Sequence, residues 1–364
     1  MRVITTTGQI LIANEAVNQD LFWALRGGGP GQYGVVTEYV IKHYPAPANV
    51  TIGTLQITPR DGTNCSVQSS WDAVGTLLSS LPDLMDAGLA GAATLSTGES
   101  AFTFFPALKS QTPFTGAALN QIFWAFNTTA AALDALVKPI ISSLEQHRSR
   151  MCTEDNKNAT LSTLFTTSTF ANYSSFYTVI SGHNAAGGES LVSSRLLGRA
   201  ALTDTPHDKL VSYLKTAMHS QNETAGTYAT IGLQGGPGVH NTPKVRWGAL
   251  LPAWRSAYLH FITNGATVDS AAAGSPMLAL QSAAAWYEEV TEKMWREWSP
   301  DSGAYMNEAN AYNKEFQKDF YGEGYAALKT VKMKYDPSES LFVLSGVGSE
   351  TWDYNLNSGK LCRV

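Results

Sequence analysis

Hydrophobic and polar positions in the first 45 residues predict a series of short elements. Residues 2–12 alternate in character on either side of a Thr-Gly pair, which predicts a β-hairpin. Asn18 can cap a short helix over residues 20–25, which a glycine ends, and residues 35–42 alternate again as in a strand. The stretch Tyr44–Pro47 is stiffened by two prolines, and we interpret it as a domain boundary.

Beyond residue 46 the pattern changes to strand-like segments that alternate with helical ones. The helical segments do not follow each strand in the regular order of a parallel βαβ fold. The pattern therefore predicts an α+β fold, in which helices cover a largely antiparallel sheet. Strand-like patterns occur at 50–58, 101–105, 121–127, 175–182, 190–196 and 226–233.

The clearest helical period lies between residues 277 and 298. Four apolar residues recur every fourth position and predict one face that packs on a sheet: Trp286, Val290, Met294 and Trp298. The charged residues of the same segment are expected on the solvent side: Glu288, Glu289, Glu292 and Arg296. A second helix is predicted over residues 324–334, ended by an Asp-Pro pair.

Composition narrows the class of protein. The chain has 364 residues, of which 44% are hydrophobic, and a formal net charge of -5. This length suggests two domains, or one large domain with an inserted lobe. No run of Lys and Arg is longer than a pair, so neither nucleic acid nor an anionic membrane is expected as the main partner. No apolar run approaches the roughly 20 residues that a transmembrane helix needs.

Six Asn-X-Ser/Thr triplets predict N-glycosylation and passage through the secretory pathway, although no signal peptide opens the chain. The three cysteines form no CxxC pair, so zinc or dithiol chemistry is not expected, and their odd number suggests a free thiol or a missing partner. The predicted acceptors are Asn49, Asn64, Asn127, Asn158, Asn172 and Asn222.

A glycine-rich loop interrupts the apolar sequence LFWALRGGGPGQYGVV at 21–36. Glycine lets the backbone approach a phosphate or a flat cofactor closely, because no Cβ keeps the ligand away. A dinucleotide-binding loop follows a strand and opens a helix, whereas here the helix comes first and a strand follows. No Lys-Ser/Thr pair closes the loop as in a Walker motif. The alternative is that the glycines only pack a tight connection between helix and strand.

A second polar cluster lies in GAYMNEANAY at 303–312. In a strand, Tyr305 and Asn307 would face one side and Glu308 the other. The Asn307 amide offers a donor and an acceptor, which suits a heterocycle, and either Glu308 or Tyr305 could act as a general base. The alternative is an edge strand with solvated polar groups. The histidines show no metal-binding spacing, so no metal site is predicted.

Two distant motifs together resemble a known family. The run DLFWALRGGGPGQYGVV at 20–36 resembles the signature of FAD-linked oxidases of the berberine-bridge-enzyme-like group, within the vanillyl-alcohol-oxidase or PCMH-type flavoproteins. SRLL at 194–197 and PAWR at 252–255 are also similar to this group. The C-terminal part resembles its fungal branch in YMNE at 305–308, FYGEGY at 320–325, KMKYDP at 332–337, VGSETW at 347–352 and GKLCRV at 359–364.

The resemblance implies FAD as the cofactor and a small alcohol, amine or secondary metabolite as the substrate. A hydride would pass to the flavin, a base would take the proton, and O2 would reoxidise the flavin. Tyr305 and Asn307 would lie beside the flavin, and Glu308 occupies a position that is often a catalytic Tyr in related oxidases. The adenosine and diphosphate part of FAD would contact Gly28, Gly29, Gly31, Gly34 and Val36.

In this family the FAD domain begins well upstream, with residues that attach the flavin covalently. The resemblance therefore implies that residues 1–45 are a remnant of the FAD domain, 46–317 the substrate domain, and 318–364 a terminal segment that returns to the FAD domain. It also implies an N-terminally truncated oxidase that needs the missing half. Two alternatives remain: a non-catalytic homologue that keeps a binding lobe, and an NAD-dependent reductase that uses the glycine-rich loop.

Overall fold

A computed structural model of the chain describes residues 1–146, 160–181 and 190–364. One of the predicted glycosylation sites, Asn158, lies outside these residues. The strands are β1 (Arg2–Ile4), β2 (Ile10–Ile12), β3 (Val35–Glu38), β4 (Val50–Pro59), β5 (Ala90–Ser96), β6 (Ala118–Phe126), β7 (Leu161–Phe170), β8 (Ser193–Gly198), β9 (Tyr228–Leu233), β10 (Ala257–Thr263), β11 (Trp352–Asn355) and β12 (Lys360–Arg363).

Helices connect these strands and cover the larger sheet. They are α1 (Gln19–Leu25), α2 (Asn64–Asp86), α3 (Ala101–Phe104), α4 (Ala130–Gln146), α5 (Tyr173–Ile180), α6 (Arg199–Thr203), α7 (His207–Ala217), α8 (Pro237–His240), α9 (Ser270–Ala273), α10 (Pro276–Tyr287), α11 (Lys293–Trp298) and α12 (Tyr325–Tyr335). No helix within the described residues is long and apolar enough to cross a membrane.

The N-terminal residues form a small antiparallel sheet in the order β2-β1-β3. The predicted hairpin is present, and its turn uses Gly8 at a φ of 81°. The predicted third strand ends at Glu38 rather than residue 42. The residues beyond it have no partner strand and are exposed, as at Val40, which is 82% exposed.

The two ends of the chain share one hydrophobic cluster. Leu21 and Ala24 of α1 pack in the same cluster as Phe320, Leu328 and Val331 from the C-terminal part. The i, i+3 spacing of the last two residues places both on one face of α12, as the sequence pattern predicts. A common core thus joins segments that lie about 300 positions apart in the sequence.

A seven-stranded sheet in the order β7-β4-β6-β5-β9-β10-β8 forms the larger unit, and all its pairs are antiparallel. The predicted α+β architecture with an antiparallel sheet is confirmed. Helix α2 is capped by Thr63, whose hydroxyl accepts a hydrogen bond from the Ser66 amide, and it buries Leu77, Leu78 and Leu81 against the sheet.

Two of the strand predictions are wrong. Residues 101–104 form α3 and residues 173–180 form α5. In α5 the side chain of Asn172 caps the helix by accepting from the Ser175 amide, so a capping signal outweighs the β propensity of the aromatic residues. The sequence pattern also missed β5, β7 and β10.

The helix predicted between residues 277 and 298 is divided into α10 and α11 by a π-helical segment at Glu288–Glu292. The extra residue of a π turn rotates the following residues relative to a regular α-helix. Trp295 and Trp298 are therefore buried together, whereas Val290 is only partly buried. The prediction that Glu292 faces solvent is wrong, because this side chain is 1% exposed.

Candidate functional site

The glycine-rich loop is fixed to the C-terminal part of the chain by Gln32. The Oε1 atom of Gln32 accepts a hydrogen bond from the Val347 amide at 2.6 Å, and its Nε2 atom donates to the Tyr321 hydroxyl at 3.3 Å. Inside the loop, the Tyr33 hydroxyl donates to the Gly28 carbonyl. These bonds are buried, so the loop has a defined conformation rather than that of a solvent-exposed connection.

A buried ion pair supports the same loop from α12. Lys332 is 2% exposed, and its Nζ atom donates to the Gln32 carbonyl at 2.7 Å, to Asp336 Oδ2 at 2.6 Å and to the Leu341 carbonyl at 2.8 Å. All three ammonium protons are therefore used. A buried charge is tolerated only when it is paired and hydrogen-bonded in this way.

The glycines of the loop divide into two kinds. A Cβ on Gly28 would lie 2.4 Å from Leu328 Cδ2, one on Gly29 would lie 1.9 Å from Gln32 Nε2, and one on Gly34 would lie 2.8 Å from Val3 Cγ1. At Gly31, where φ is 94°, no described atom lies within 4 Å of a Cβ. Internal packing thus accounts for Gly28, Gly29 and Gly34, in line with the alternative that these glycines pack a tight connection between helix and strand. Gly31 instead faces open space.

The predicted FAD contacts of the loop stay predictions at Gly28, Gly29, Gly31 and Gly34. The same holds for Val36, which is half-buried in β3. Close internal packing on one side of a loop does not prevent the backbone on its other side from meeting a ligand. Gly31 has open space on this side, so the residues present are compatible with a flat or phosphorylated cofactor.

The second predicted cluster is a turn, not a strand. The Glu308 amide donates to the Tyr305 carbonyl at 2.9 Å, and this i, i+3 bond reverses the chain. The expectation that Tyr305 and Glu308 face opposite sides is therefore wrong. The Asn307 Nδ2 atom donates to the Tyr305 hydroxyl at 2.8 Å, so these two predicted flavin neighbours lie together.

Both Tyr305 and Glu308 meet a residue that sequence reasoning missed, His260 of β10. The His260 ring lies 5.7 Å from the Tyr305 ring and 5.7 Å from the Trp254 ring, measured between centroids, and both contacts are aromatic. Its Nδ1 atom lies 3.6 Å from Glu308 Oε2. The available signal was a single histidine within the apolar run AYLHFIT at 257–263.

Burial controls the charge of His260. The residue is 3% exposed, and burial lowers its pKa to about 4. The imidazole is therefore neutral near pH 7, and its contact with Glu308 is not an ion pair there. Its Nε2 atom is buried without a hydrogen-bond partner in the described part of the chain. A neutral imidazole nitrogen without a partner can accept a proton.

Small residues flank His260 on the open face of the sheet, which is the face opposite α2 and α7. Its cross-strand partner in β9 is Gly232, whose partner in β5 is Ala92. The amide of Gln234 lies over Gly232, where a Cβ would come within 2.7 Å of Nε2. The two positions beside the imidazole in this cross-strand row, Gly232 and Ala92, therefore have small or no side chains. No cluster of three or more His, Cys, Asp or Glu residues within the described ranges could hold a metal ion.

The fold is that of the VAO-type flavoproteins. The crystal structure of the VAO-type flavoprotein MtVAO713 from Myceliophthora thermophila C1 superimposes with a TM-score of 0.80 at 27% sequence identity, over 100% of this chain and 59% of that one. The family model "Berberine and berberine like" matches residues 304–342, which include the Tyr305–Glu308 turn and α12.

Sequence relatives agree with the structural ones. The FAD-linked oxidoreductase apf9 of Gibberella fujikuroi is 32% identical over 376 residues, which cover 100% of this chain and 57% of the relative. The VAO-type flavoprotein oxidase VAO615 of Thermothelomyces thermophilus is 28% identical over 100% of the chain and 56% of the relative. The chain thus spans a little more than half the length of these relatives. It belongs to the berberine-bridge-enzyme-like group of FAD-linked oxidoreductases, whose cofactor is FAD.

Proposed function

We propose that this chain carries the substrate-facing part of an FAD-dependent oxidase that acts on a small alcohol, amine or secondary metabolite, with reoxidation by O2. One observation carries the proposal. The turn at Tyr305–Glu308, within the segment that matches the family, meets a buried neutral histidine from the central sheet. A base, an aromatic wall and a carboxylate therefore converge where the open face of the sheet meets the C-terminal segment.

Proton transfer is the task that these side chains fit. The neutral imidazole of His260 accepts the substrate proton at Nε2, and Glu308 stabilises the resulting positive charge through Nδ1. Tyr305 and Trp254 fix the plane of the ring from two sides. Because Nε2 is buried, a substrate reaches it when a neighbouring group moves aside. FAD, when bound, supplies the two-electron acceptor.

Cofactor binding falls to two parts of the chain. The open backbone at Gly31 and the amide of Asn307 are the groups that would hold FAD, since both present polar atoms that internal packing does not fully use. In the alternative assignment, Glu308 or Tyr305 is the base that accepts the substrate proton, in place of His260.

A second polypeptide segment completes the cofactor site in this proposal. Ile10 is 68% exposed, and Ile12 and Val35 of the same small sheet are also exposed. Both outer strands, β2 and β3, have a free edge among the described residues. Exposed apolar sheet surface with open edges is unfavourable in water, and a segment that completes the FAD-binding domain would cover it.

Flavin binding and reduction test the proposal. The purified chain is titrated with FAD and followed by flavin absorbance and fluorescence, and the complex is then mixed anaerobically with a panel of alcohols and amines. Because a second segment completes the cofactor site in this proposal, bleaching of the flavin absorbance and its return with O2 are expected when the FAD-binding segment of a relative is added to the chain. No FAD uptake even in the presence of that segment would refute the proposal and would favour the non-catalytic binding lobe.

Variants separate the roles within the cluster. His260→Gln is expected to slow flavin reduction by about 100-fold or more, as for the loss of a general base. His219→Gln is the matched control, because His219 is exposed and stacks only on Trp286. Full reduction rates in His260→Gln, together with a loss in Glu308→Gln or Tyr305→Phe, would transfer the role of base to Glu308 or Tyr305.

A further inference from the structure

Four basic residues lie on or bond to the loop at residues 242–248, which contacts the glycine-rich loop and precedes the PAWR segment. Lys244 and Arg246 belong to the loop itself. Arg26 donates to the Arg246 carbonyl at 3.5 Å, and Arg255 donates to the Thr242 hydroxyl at 3.5 Å. We call Arg26, Lys244, Arg246 and Arg255 the basic loop cluster.

None of these four side chains makes an ion pair with a carboxylate among the described residues. Carboxylates on adjoining elements are already engaged elsewhere. Asp20 of α1 pairs with Lys334 at 2.6 Å, and Asp86 of α2 pairs with Arg199. Arg26 does have an aromatic neighbour, because its guanidinium lies 4.3 Å from the centroid of the Phe22 ring. The chain has five more acidic than basic residues, so a group of cations without carboxylate partners runs against its overall charge.

Two of the guanidinium groups are incompletely hydrogen-bonded. The Nε atoms of Arg26 and Arg255 are buried and have no hydrogen-bond partner in the described part of the chain. The bonds that these residues do make, at 3.5 Å, are at the long limit for a hydrogen bond. A guanidinium group normally uses its planar set of donors on a carboxylate or phosphate, often with two parallel bonds.

The position of the cluster connects it with both parts of the candidate site. A Cβ on Gly27, the first residue of the glycine-rich loop, would lie 2.5 Å from Leu250 Cα, and a Cβ on Gly248 would lie 2.4 Å from the Arg26 carbonyl oxygen. Arg255 follows Trp254, which packs on His260. The backbone of the loop thus packs against the start of the glycine-rich loop, and Arg255 lies next in the sequence to a residue that contacts His260.

We infer that the basic loop cluster binds an anionic group, a phosphate or a carboxylate, of a small molecule that occupies the adjoining site. Arg255 and Arg26 supply planar donor sets, and Lys244 and Arg246 add charge at the exposed side. The diphosphate of the cofactor and an acidic group of the substrate are the two sources of such an anion. Binding of the anion itself does not depend on the redox activity proposed above.

Calorimetric titration of the purified chain with pyrophosphate and with citrate tests the inference. Binding is expected at low ionic strength and should weaken at about 0.15 M salt, since it is electrostatic. Arg255→Gln and Arg246→Gln should each weaken it by roughly tenfold or more, as for the loss of a charge-assisted hydrogen bond. Arg255→Lys, which keeps the charge without the planar fork, should weaken it less.

Arg60→Gln is the control, because Arg60 is an exposed arginine at the far end of β4 and outside the cluster. It should leave the affinity unchanged, and circular dichroism should show that each variant is folded. No heat of binding with either probe would overturn the inference. Equal weakening by Arg60→Gln would do the same, since it would show that binding depends on net charge alone.

Competition identifies the source of the anion. Displacement of bound pyrophosphate by FAD, but not by riboflavin, which lacks phosphate, would assign the cluster to the cofactor's diphosphate. Retention of pyrophosphate while flavin fluorescence shows that FAD is bound would assign the cluster to an acidic group of the substrate. Both readouts are binding measurements, so they remain interpretable when flavin reduction fails.

Discussion

Replacing Lys332 by Met should be among the most destabilising substitutions in the chain. The side chain is nearly isosteric but cannot donate, so the Gln32 and Leu341 carbonyls each lose a bond and the Asp336 carboxylate remains buried without its cation. Asp336 would retain only the amide donors of Ser340 and Leu341, each at 3.0 Å. Removing one partner of a buried ion pair costs about 3–5 kcal/mol, which is the expected loss in free energy of unfolding.

The pH dependence of this loss provides an internal check. Burial favours the neutral carboxyl of Asp336, but the hydrogen bonds from Lys332 and from backbone amides outweigh it, so the pKa of Asp336 is lowered. A lowered folded-state pKa stabilises the protein above the unfolded-state value, and this contribution disappears as the pH falls through the folded-state pKa. The difference in free energy of unfolding between wild type and Lys332→Met should therefore become smaller in acid, where the Asp336 carboxylate is protonated.

Urea denaturation followed by tryptophan fluorescence measures the effect. Lys334→Met is the matched control, because Lys334 lies two residues away on the same helix and makes an exposed pair with Asp20. An exposed pair contributes little to stability, so the control should unfold close to wild type. Equal destabilisation by Lys332→Met and Lys334→Met would refute the reasoning. Hydrogen exchange should also show faster exchange at the Val347 amide, which bonds to Gln32.

Three further results are expected. Gly28→Ala should lower the free energy of unfolding by about 1–3 kcal/mol in urea denaturation, because its Cβ would overlap Leu328, whereas Gly31→Ala should cost less, about 1 kcal/mol, for its positive φ alone. Burial raises the pKa of Glu292 to about 7, so the folded protein favours the neutral carboxyl. The free energy of unfolding of the wild type should therefore fall by about 3 kcal/mol relative to that of Glu292→Gln as the pH rises from 4.5 to 8. The same pH dependence of stability in both proteins, measured by urea denaturation, would refute this. In a secretory host, mass spectrometry should find glycan on the exposed Asn172 and not on the half-buried Asn49, because a glycan needs an exposed acceptor; a glycan on Asn49 would contradict this.

The sequence pattern was most informative where one face of an element is buried and the other is exposed. The period of α12 and the hairpin of β1 and β2 could be predicted for this reason. The pattern failed in the centre of the sheet at β5, whose sequence AGAATLS is too poor in large apolar residues to show a period. It also failed at Glu292, because an added residue in a π turn leaves no regular period to detect.

The candidate site could be predicted only in part. Tyr305, Asn307 and Glu308 were found because they lie close together in the sequence. His260 was missed because its partners are about 45 positions away and only the turn at Tyr305–Glu308 brings them into contact. The resemblance to a flavoprotein family supplied the cofactor, which neither composition nor spacing could supply. Cys65, which is disulfide-bonded, and Cys362, which is a free exposed thiol, were likewise not distinguishable beforehand.

The hydrogen bonds between Gln32 and the C-terminal part of the chain have a consequence for how the protein is made. During synthesis the glycine-rich loop leaves the ribosome about 300 residues before Lys332 and Val347. Contacts of such long sequence separation form late, since the intervening chain must first lose much of its freedom. The loop and the small sheet must therefore wait, with their apolar surface uncovered, until Lys332 and Val347 have been synthesised. That interval is when a chaperone would protect this chain most effectively from aggregation.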